Sequence, residues 1–589
     1  MMFGSIVYIS DNVAHVKIVD GTPVATNLMN LHVMFEDSNK KILGEIEDIS
    51  SEIIKIRFLG EIINNRFIGG VIRKPTLSAK IRVIEKEEIP LIIGEATAQS
   101  FLLGHSPLYD DYPISVDINE LFSNHMAIFG NSGSGKSYGV ARIVQNIFQN
   151  KNVVPFKSNF FIFDAYGEYH NAFSTLNKIN PNFNFKIYTT NPHQPNSLLL
   201  QIPLWLLKVD EIALLLSADE HGQLPIIERM LKLVKVFAEK SNQAEAYKNH
   251  LIAKAIMTIL YTNQTSSSKR NDIFSIFASC STEKFNLESP VQGIGYTRKL
   301  RECFTIDTAG SFTETVLVTD YISKFINDDI EKYSPSQTNP YSLNDLEKAL
   351  EFTLISEGLL RNEKSFNNAV TLKVRLHSIA IGDYAKFFKV DNYISKEAFI
   401  ASLVSLNGKK AQIVNFNLED VEDWFGKFVT KLFTKLFFDF TKNLKNRASI
   451  PMHIFLEEAH RYVQNDRDTY LLGYNIFERV AKEGRKYGMI LNLISQRPVE
   501  ISETVISQCS NFLIFKMNHP RDLEYIKQML PNISSEIVEK QKTLQPGTCV
   551  AFGRAFKVPM IVKMQLPNPE PHSSNANVVD KWTVKNIEQ

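Results

Sequence analysis

The chain has 589 residues, of which 44 % are hydrophobic and 22 % charged, and a formal net charge of +1. Such a length exceeds one compact core and calls for roughly three or four units, in a composition ordinary for a soluble globular protein. A sum of charges near zero hides any local basic surface, so it neither supports nor excludes nucleic acid.

Met1 to Asn12 lacks the basic-then-apolar order of a signal peptide. No uninterrupted apolar run approaches the ~20 residues of a membrane helix. Cys280, Cys303, Cys509 and Cys549 are scattered without a C-x-x-C pair, which argues against a zinc site or disulfide framework. A cytoplasmic protein with no membrane partner is expected. From Gly4 to about Gly94 short β-rich runs (Ser5–Ser10, Val13–Val19, Ile53–Phe58, Ala79–Ile84) are separated by Asp20-Gly21, Gly60 and Gly69-Gly70. This pattern predicts a small β-barrel or sandwich over 1–94, a packing module without chemistry on its residues alone.

Glu95 to Ser123 reads as a linker opening the first part of a nucleotide domain, 95–197. The apolar run Met126–Phe129 then leads into Gly130-Asn131-Ser132-Gly133-Ser134-Gly135-Lys136-Ser137. Glycines in this G-x-x-x-x-G-K-S spacing let backbone N–H groups wrap a phosphate where a Cβ would obstruct. Lys136 can reach the β- and γ-phosphates, and the Ser137 hydroxyl can ligate Mg²⁺. From Tyr138 to Gln149 a helix is predicted, whose N-terminus adds partial positive charge. Strand before and helix after make this a nucleoside-triphosphate site. The chain has no N-K-x-D stretch to read a guanine edge, so ATP is preferred over GTP.

Asn159–Phe163 is a continuous apolar strand ending at Asp164-Ala165-Tyr166-Gly167-Glu168-Tyr169. Residues 198–388 change character, with helical periodicity in Glu211–Leu215, Ile226–Phe237 and Asn249–Tyr261, and predict an inserted helical bundle. Within it Thr265 to Arg270 reads as a polar loop tip. The sheet pattern resumes in a second core part, 389–566: strands Ala411–Phe416, His453–Leu456, Met489–Ile494 and Asn511–Phe515, and a helix Asp423–Leu444. Strands alternating with helices give the fold class α/β, a doubly wound, mostly parallel sheet flanked by helices. The Pro-, Asn- and Ser-rich tail 567–589 is expected to be extended or disordered.

Glu457 and Glu458 follow an apolar strand, where an ATP-hydrolysing P-loop domain needs acids. Glu457 is assigned to Mg²⁺ through water and Glu458 to polarising the attacking water; acids decorating a helix N-terminus are the alternative. Gln496, in Ser495-Gln496-Arg497-Pro498, is a candidate γ-phosphate sensor or part of a plain turn. Arg485, in Lys482–Gly488, is either a finger inserted into a neighbouring subunit's site or a member of a surface ion-pair cluster. Asp164 and Glu168 fall on the ligand side of a parallel sheet and are candidates to reinforce the Mg²⁺ and water network, Glu168 alternatively capping a helix.

These elements in order resemble the HerA-type DNA translocases of the HerA/FtsK group of P-loop ATPases over about residues 1–565. The resemblance rests on Asn124–Phe129 running into Gly130–Ser137, Phe163-Asp164 with Gly167-Glu168-Tyr169, Glu457–Arg461, Glu483–Gly488 and Ser495–Pro498. It implies a RecA-like core with a leading β-barrel and a helical insertion, assembled as a homohexamer that threads double-stranded DNA. It further implies ATP sites at subunit interfaces, with Arg485 acting in trans. A nuclease or a NAD-cleaving effector docked on the barrel, in DNA-end processing or anti-phage defence, is the implied partner. A nucleotide-controlled ring scaffold and a conjugation- or secretion-type pump ATPase are the competing functions.

Overall fold

The computed structural model describes residues 4–18, 28–37, 40–50, 52–336, 338–359, 363–529, 541–572 and 578–582. They form two compact units, one built from 1–198, 403–465 and 476–589 and the other from 199–402 and 466–475.

The first unit opens with seven strands: β1 (Ile6–Ile9), β2 (Val13–Lys17), β3 (His32–Asp37), β4 (Lys40–Ile49), β5 (Ile53–Ile63), β6 (Arg66–Gly69) and β7 (Lys80–Val83). They pair antiparallel in the order β1-β2-β5-β4-β3-β7, with β6 on β5. Among the described residues β1 and β7 do not pair with each other, so the expected barrel is an open sheet in its hydrogen bonding. Val19 and the Asp20-Gly21 turn lie outside the described residues. Alternation along β3 divides its side chains between two cores. Val33 and Phe35 join Ile42, Ile54, Ile56 and Ile81, whereas Met34 and Leu43 point into the nucleotide domain. Gly60 does not break β5; a Cβ there would collide with the Ile68 carbonyl and the Phe67 ring.

The larger sheet has twelve strands. It contains β8 (Ser100–Ser106), β9 (Tyr112–Asp117), β10 (Met126–Phe129), β11 (Phe160–Asp164) and β12 (Phe185–Thr189). Later come β13 (Ile413–Asn417), β14 (Met452–Leu456), β15 (Met489–Ser495), β16 (Asn511–Phe515), β17 (Thr548–Gly553) and β18 (Met560–Lys563). After the short edge strand Leu198–Leu199 the order is β12-β13-β11-β14-β15-β10-β16-β17-β18-β8-β9. From β12 to β16 every pairing is parallel; from β16 onward every pairing is antiparallel. The sheet is therefore mixed. The segment expected to be a linker, 95–123, instead supplies the β8–β9 hairpin that ends it.

Helix α1 (Lys136–Gln149) and helix α2 (Asp423–Lys442) explain why the parallel strands are apolar on both faces. Phe160 and Ile162 share a core with Val140, Val144 and Phe148 of α1. Their neighbours in the alternation face α2: Phe161 stacks on Phe437 at 4.2 Å, and Phe163 meets Phe433. Phe425, Phe428, Val429, Leu432, Phe433 and Leu436 recur at helical spacing to make that buried stripe.

The second unit is mostly helical, as its periodicity predicts, but it extends to Ser402 and takes in Asp466–Asn475. Its helix Leu343–Ser356 packs on Gln223–Ala238 and Ser266–Ser279. The expected loop at Thr265–Arg270 is the start of that last helix: the Thr265 hydroxyl caps it by accepting from Ser268 N.

The start of the tail has neither helix nor strand, and it is anchored. Residues 567–572 lie along α1, with Gln145 donating to Pro569 O at 2.8 Å and accepting from Asn568 N at 2.9 Å. Tyr138 donates to Glu570, and His572 N to Glu168 O. Val578–Trp582 is a short helix, and 573–577 and 583–589 lie outside the described residues.

Candidate active site

Parallel strands present their carboxyl ends on one edge, and ligands of such sheets bind there. Four neighbours, β11, β14, β15 and β10, deliver Asp164, Glu457-Glu458, Gln496 and the Gly130–Ser137 loop to that edge. Gly130 N donates to Ser495 O, and Asn131 N to Lys516 O, which ties the loop to both strands flanking β10. Gly133 and Gly135 have φ of 73° and 94°, open to glycine at no steric cost. A Cβ on Gly135 would stand 2.6 Å from Gly547 N, and one on Gly130 2.6 Å from Ser134 Oγ. Gly547 N in turn donates to Ser134 O at 2.9 Å, so the turn before β17 braces the loop from outside. Ser134 Oγ is buried without a hydrogen-bond partner.

A cleft of about 510 Å³ opens over this edge. Asn131, Ser132, Gly133 and Gly135 through Tyr138 line it, as do Glu168, Glu457, Glu458 and Gln496. Gly130 and Ser134 lie beneath the loop. Lys136, 6 % exposed, stands 3.9 Å from Glu457 Oε1 and 3.8 Å from Glu458 Oε1.

The two acids are in different electrostatic states. Burial pushes the Glu457 carboxyl up to about 8, opposed by Lys136 and reinforced by Glu168. Its Oε2 accepts from the Tyr169 hydroxyl at 2.6 Å. For Glu458 burial acts in the same direction, but His460, Lys136 and Arg461 outweigh it and hold the carboxyl below its usual value. His460 Nδ1 lies 3.1 Å from both Glu458 Oε2 and Ser495 Oγ. Glu458 also has φ of 49°, in the left-handed region.

Asp164 does not reach the cleft, and its expected part in the Mg²⁺ and water network is corrected to an anchoring role. Fully buried, it accepts from Glu168 N and Tyr169 N at 3.0 Å each and from Asn415 Nδ2 at 3.1 Å. Burial first, then these bonds in opposition, leave its carboxyl at about 6. It fixes the turn that aims Glu168 and Tyr169. Glu168 Oε2 is buried with no hydrogen-bond partner.

Arg485 is not at this edge. It lies on a turn (Gly484–Tyr487) before β15, at the amino ends of the parallel strands, exposed and donating to Asn124 Oδ1 at 2.8 Å. Its own cleft is at the other end of β15.

Tyr169, His460, Pro546, Gly547 and Leu566 complete the surroundings of the site, and the sequence pattern did not single out a role for them. Tyr169 and His460 sit inside the motifs quoted above, a usable signal. Pro546, Gly547 and Leu566 are remote in sequence and carry none.

The oxygen donors fit a hard divalent cation: the Ser137 hydroxyl and the buried Glu457 carboxyl line the same cleft as Glu168, whose Oε2 is unpartnered. The loop, its helix and the paired acids over a parallel sheet define a P-loop nucleoside-triphosphatase. The family model for the central domain of the helicase HerA matches residues 101–291. A probable helicase of Methanocaldococcus jannaschii is 24 % identical over 548 residues, 91 % of this chain and 81 % of that protein. A probable DNA double-strand break repair helicase HerA of the same organism is 23 % identical over 551 residues, 92 % of each chain. Among solved structures, VirB4 of Thermoanaerobacter pseudethanolicus aligns over 80 % of this chain and 97 % of its own, at 12 % identity and a TM-score of 0.44. By these sequence matches the chain is similar to HerA-type helicases over most of its length, and it is an ATP-hydrolysing enzyme.

Proposed function

We propose that the protein hydrolyses ATP with Mg²⁺ to move along double-stranded DNA as a homohexameric ring. The observation that carries this is Lys136 held between Glu457 and Glu458 in a cleft that also contains Gln496 and the glycine loop. The loop amides and Lys136 would bind the phosphates, and Ser137, with Glu457 through water, would hold Mg²⁺, whose charge would offset that of the phosphates. Glu458, kept ionised, orients and polarises the attacking water; Glu168 supports that water, and Gln496 senses the γ-phosphate. Tyr138 and Leu566 border the mouth where the nucleoside extends. Arg485 is exposed at the opposite sheet edge, so it serves a neighbouring subunit's site, which is the argument for a ring.

DNA as the track is supported by the relatives' description as DNA double-strand break repair helicases. The same proposal includes a nuclease or NAD-cleaving effector docked on residues 1–94, in end processing or anti-phage defence. Tyr8, Ile63, Ile68 and Ile72 offer exposed apolar side chains there. No helix among the described residues is long and apolar enough to cross a membrane.

The test is steady-state ATP hydrolysis with and without linear duplex DNA, beside Lys136→Ala and Glu458→Gln. Turnover that rises with DNA and is lost in both variants is expected. ATP binding without turnover under either condition would leave a nucleotide-controlled scaffold.

A further inference from the structure

We infer that Asn124 is a positioning residue for the finger Arg485 of its own chain, so that strand β10 carries a subunit's nucleotide loop at one end and, at the other, the grip on the finger it offers to its neighbour's site. The inference rests on the trans role of Arg485 proposed above.

Asn124 and His125 immediately precede β10, and Gly130 immediately follows it. Both side chains are buried, Asn124 at 3 % and His125 at 1 % exposed, although neither touches the cleft. Asn124 Oδ1 accepts from Arg485 Nη1 at 2.8 Å, while its Nδ2 donates to Glu120 O at 3.0 Å. The amide is thus fixed from one side and presents its oxygen to the guanidinium, a charge-assisted bond. His125 grips the elements on either side of the finger turn. Its Nδ1 accepts from Leu491 N in β15 at 2.9 Å, and its Nε2 lies 3.0 Å from the Ala481 carbonyl in the helix Ile476–Glu483. Burial, with Arg485 nearby, keeps the imidazole neutral, its titration moved down to about 4. The neutral ring with its proton on Nε2 satisfies both bonds at once.

The turn between those elements has little freedom of its own. A Cβ on Gly484 would stand 2.6 Å from Met489 O, and Gly488 has φ of 79° with Ala448 Cα at 3.1 Å from its would-be Cβ. An exposed arginine on a fixed turn still samples many rotamers, and Asn124 restricts them. Effective concentration at a neighbour's γ-phosphate depends on that restriction. Because β10 is hydrogen-bonded along both edges, to β15 and β16, it transmits displacement as a rigid element.

The experiment uses full-length chains. Asn124→Ala is expected to lower kcat for ATP about tenfold or more with unchanged affinity for a non-hydrolysable ATP analogue. Its own cleft is intact, so mixing it with Glu458→Gln, whose finger is intact and whose site is silent, restores turnover above the sum of the separate proteins. Arg485→Ala mixed in the same way is the reference and is expected to be restored too. Asn124→Asp, which keeps an acceptor for the guanidinium, recovers most of the lost rate and guards against a folding defect. Rescue of Arg485→Ala without rescue of Asn124→Ala overturns the inference and leaves the trans finger standing. Failure to rescue Arg485→Ala overturns the trans finger, and the inference with it. Full activity of Asn124→Ala alone overturns the inference directly.

Discussion

Replacing Glu457 by glutamine tests the electrostatics of the site apart from catalysis. In the folded chain this carboxyl is fully buried and pushed up from 4.5 to about 8. Between those two values the native state keeps a proton that the unfolded chain has released. Stability contributed by that proton is whole below pH 4.5 and is lost as pH rises through 8. At ~1.4 kcal/mol per pH unit, the window amounts to about 3–5 kcal/mol drawn from the fold by mildly alkaline pH. Glu457→Gln has no proton to lose and keeps an acceptor for the Tyr169 hydroxyl. In buffer free of nucleotide and Mg²⁺, denaturation at about pH 5 should show the two proteins close in stability. At about pH 8.5 the variant should be the more stable by ~2–4 kcal/mol, while inactive as an ATPase. A difference that is flat with pH, or that widens toward acid, would refute the assignment of the buried proton to Glu457.

Tyr169→Phe removes a hydrogen bond that favours ionised Glu457, so its carboxyl rises further and the acid limb of kcat against pH moves to higher pH. Gly135→Ala forces a Cβ against Gly547 N at a φ of 94°; binding of a fluorescent ATP analogue should vanish while the circular dichroism spectrum is kept. Gln145→Ala leaves the Ala172 and Pro569 carbonyls and Asn568 N without their partner, at a cost of about 2–3 kcal/mol. Hydrogen exchange should then speed up selectively in 567–572.

Much of the cleft's lining was legible because its sequence signals are local: a glycine loop between an apolar strand and a helix, and paired acids after another strand. Asp164 was legible as a residue but not in its role, since only the fold shows that backbone amides of Glu168 and Tyr169 consume its oxygens. The 95–123 hairpin read as a linker because β8 and β9 pair with each other and, through Lys563, with β18, partners that no local pattern reveals. Thr265 to Arg270 was polar enough to pass for a loop. The capping hydroxyl that makes it a helix start uses the same residues as a turn. The tail's composition suggested an extended or disordered segment, and no local pattern shows that Gln145 gives it two hydrogen-bond anchors and Asn171 a third at Glu570 O.

The strand order also sets a timetable for biosynthesis. His125, at the head of the strand that carries the phosphate loop, bonds to a residue 366 positions later, and Asn511 closes onto Leu121 across 390. Until the ribosome has delivered β15 and β16, β10 has no strand to pair with on either edge. The helical unit, whose last piece is Asp466–Asn475, is synthesised in full before then and can fold first, as a finished insert in an unfinished host. Pairings this distant are slow to close and leave sticky edges exposed meanwhile. An arrested chain that stops before Met489 should therefore contain the helical unit folded and no nucleotide site at all.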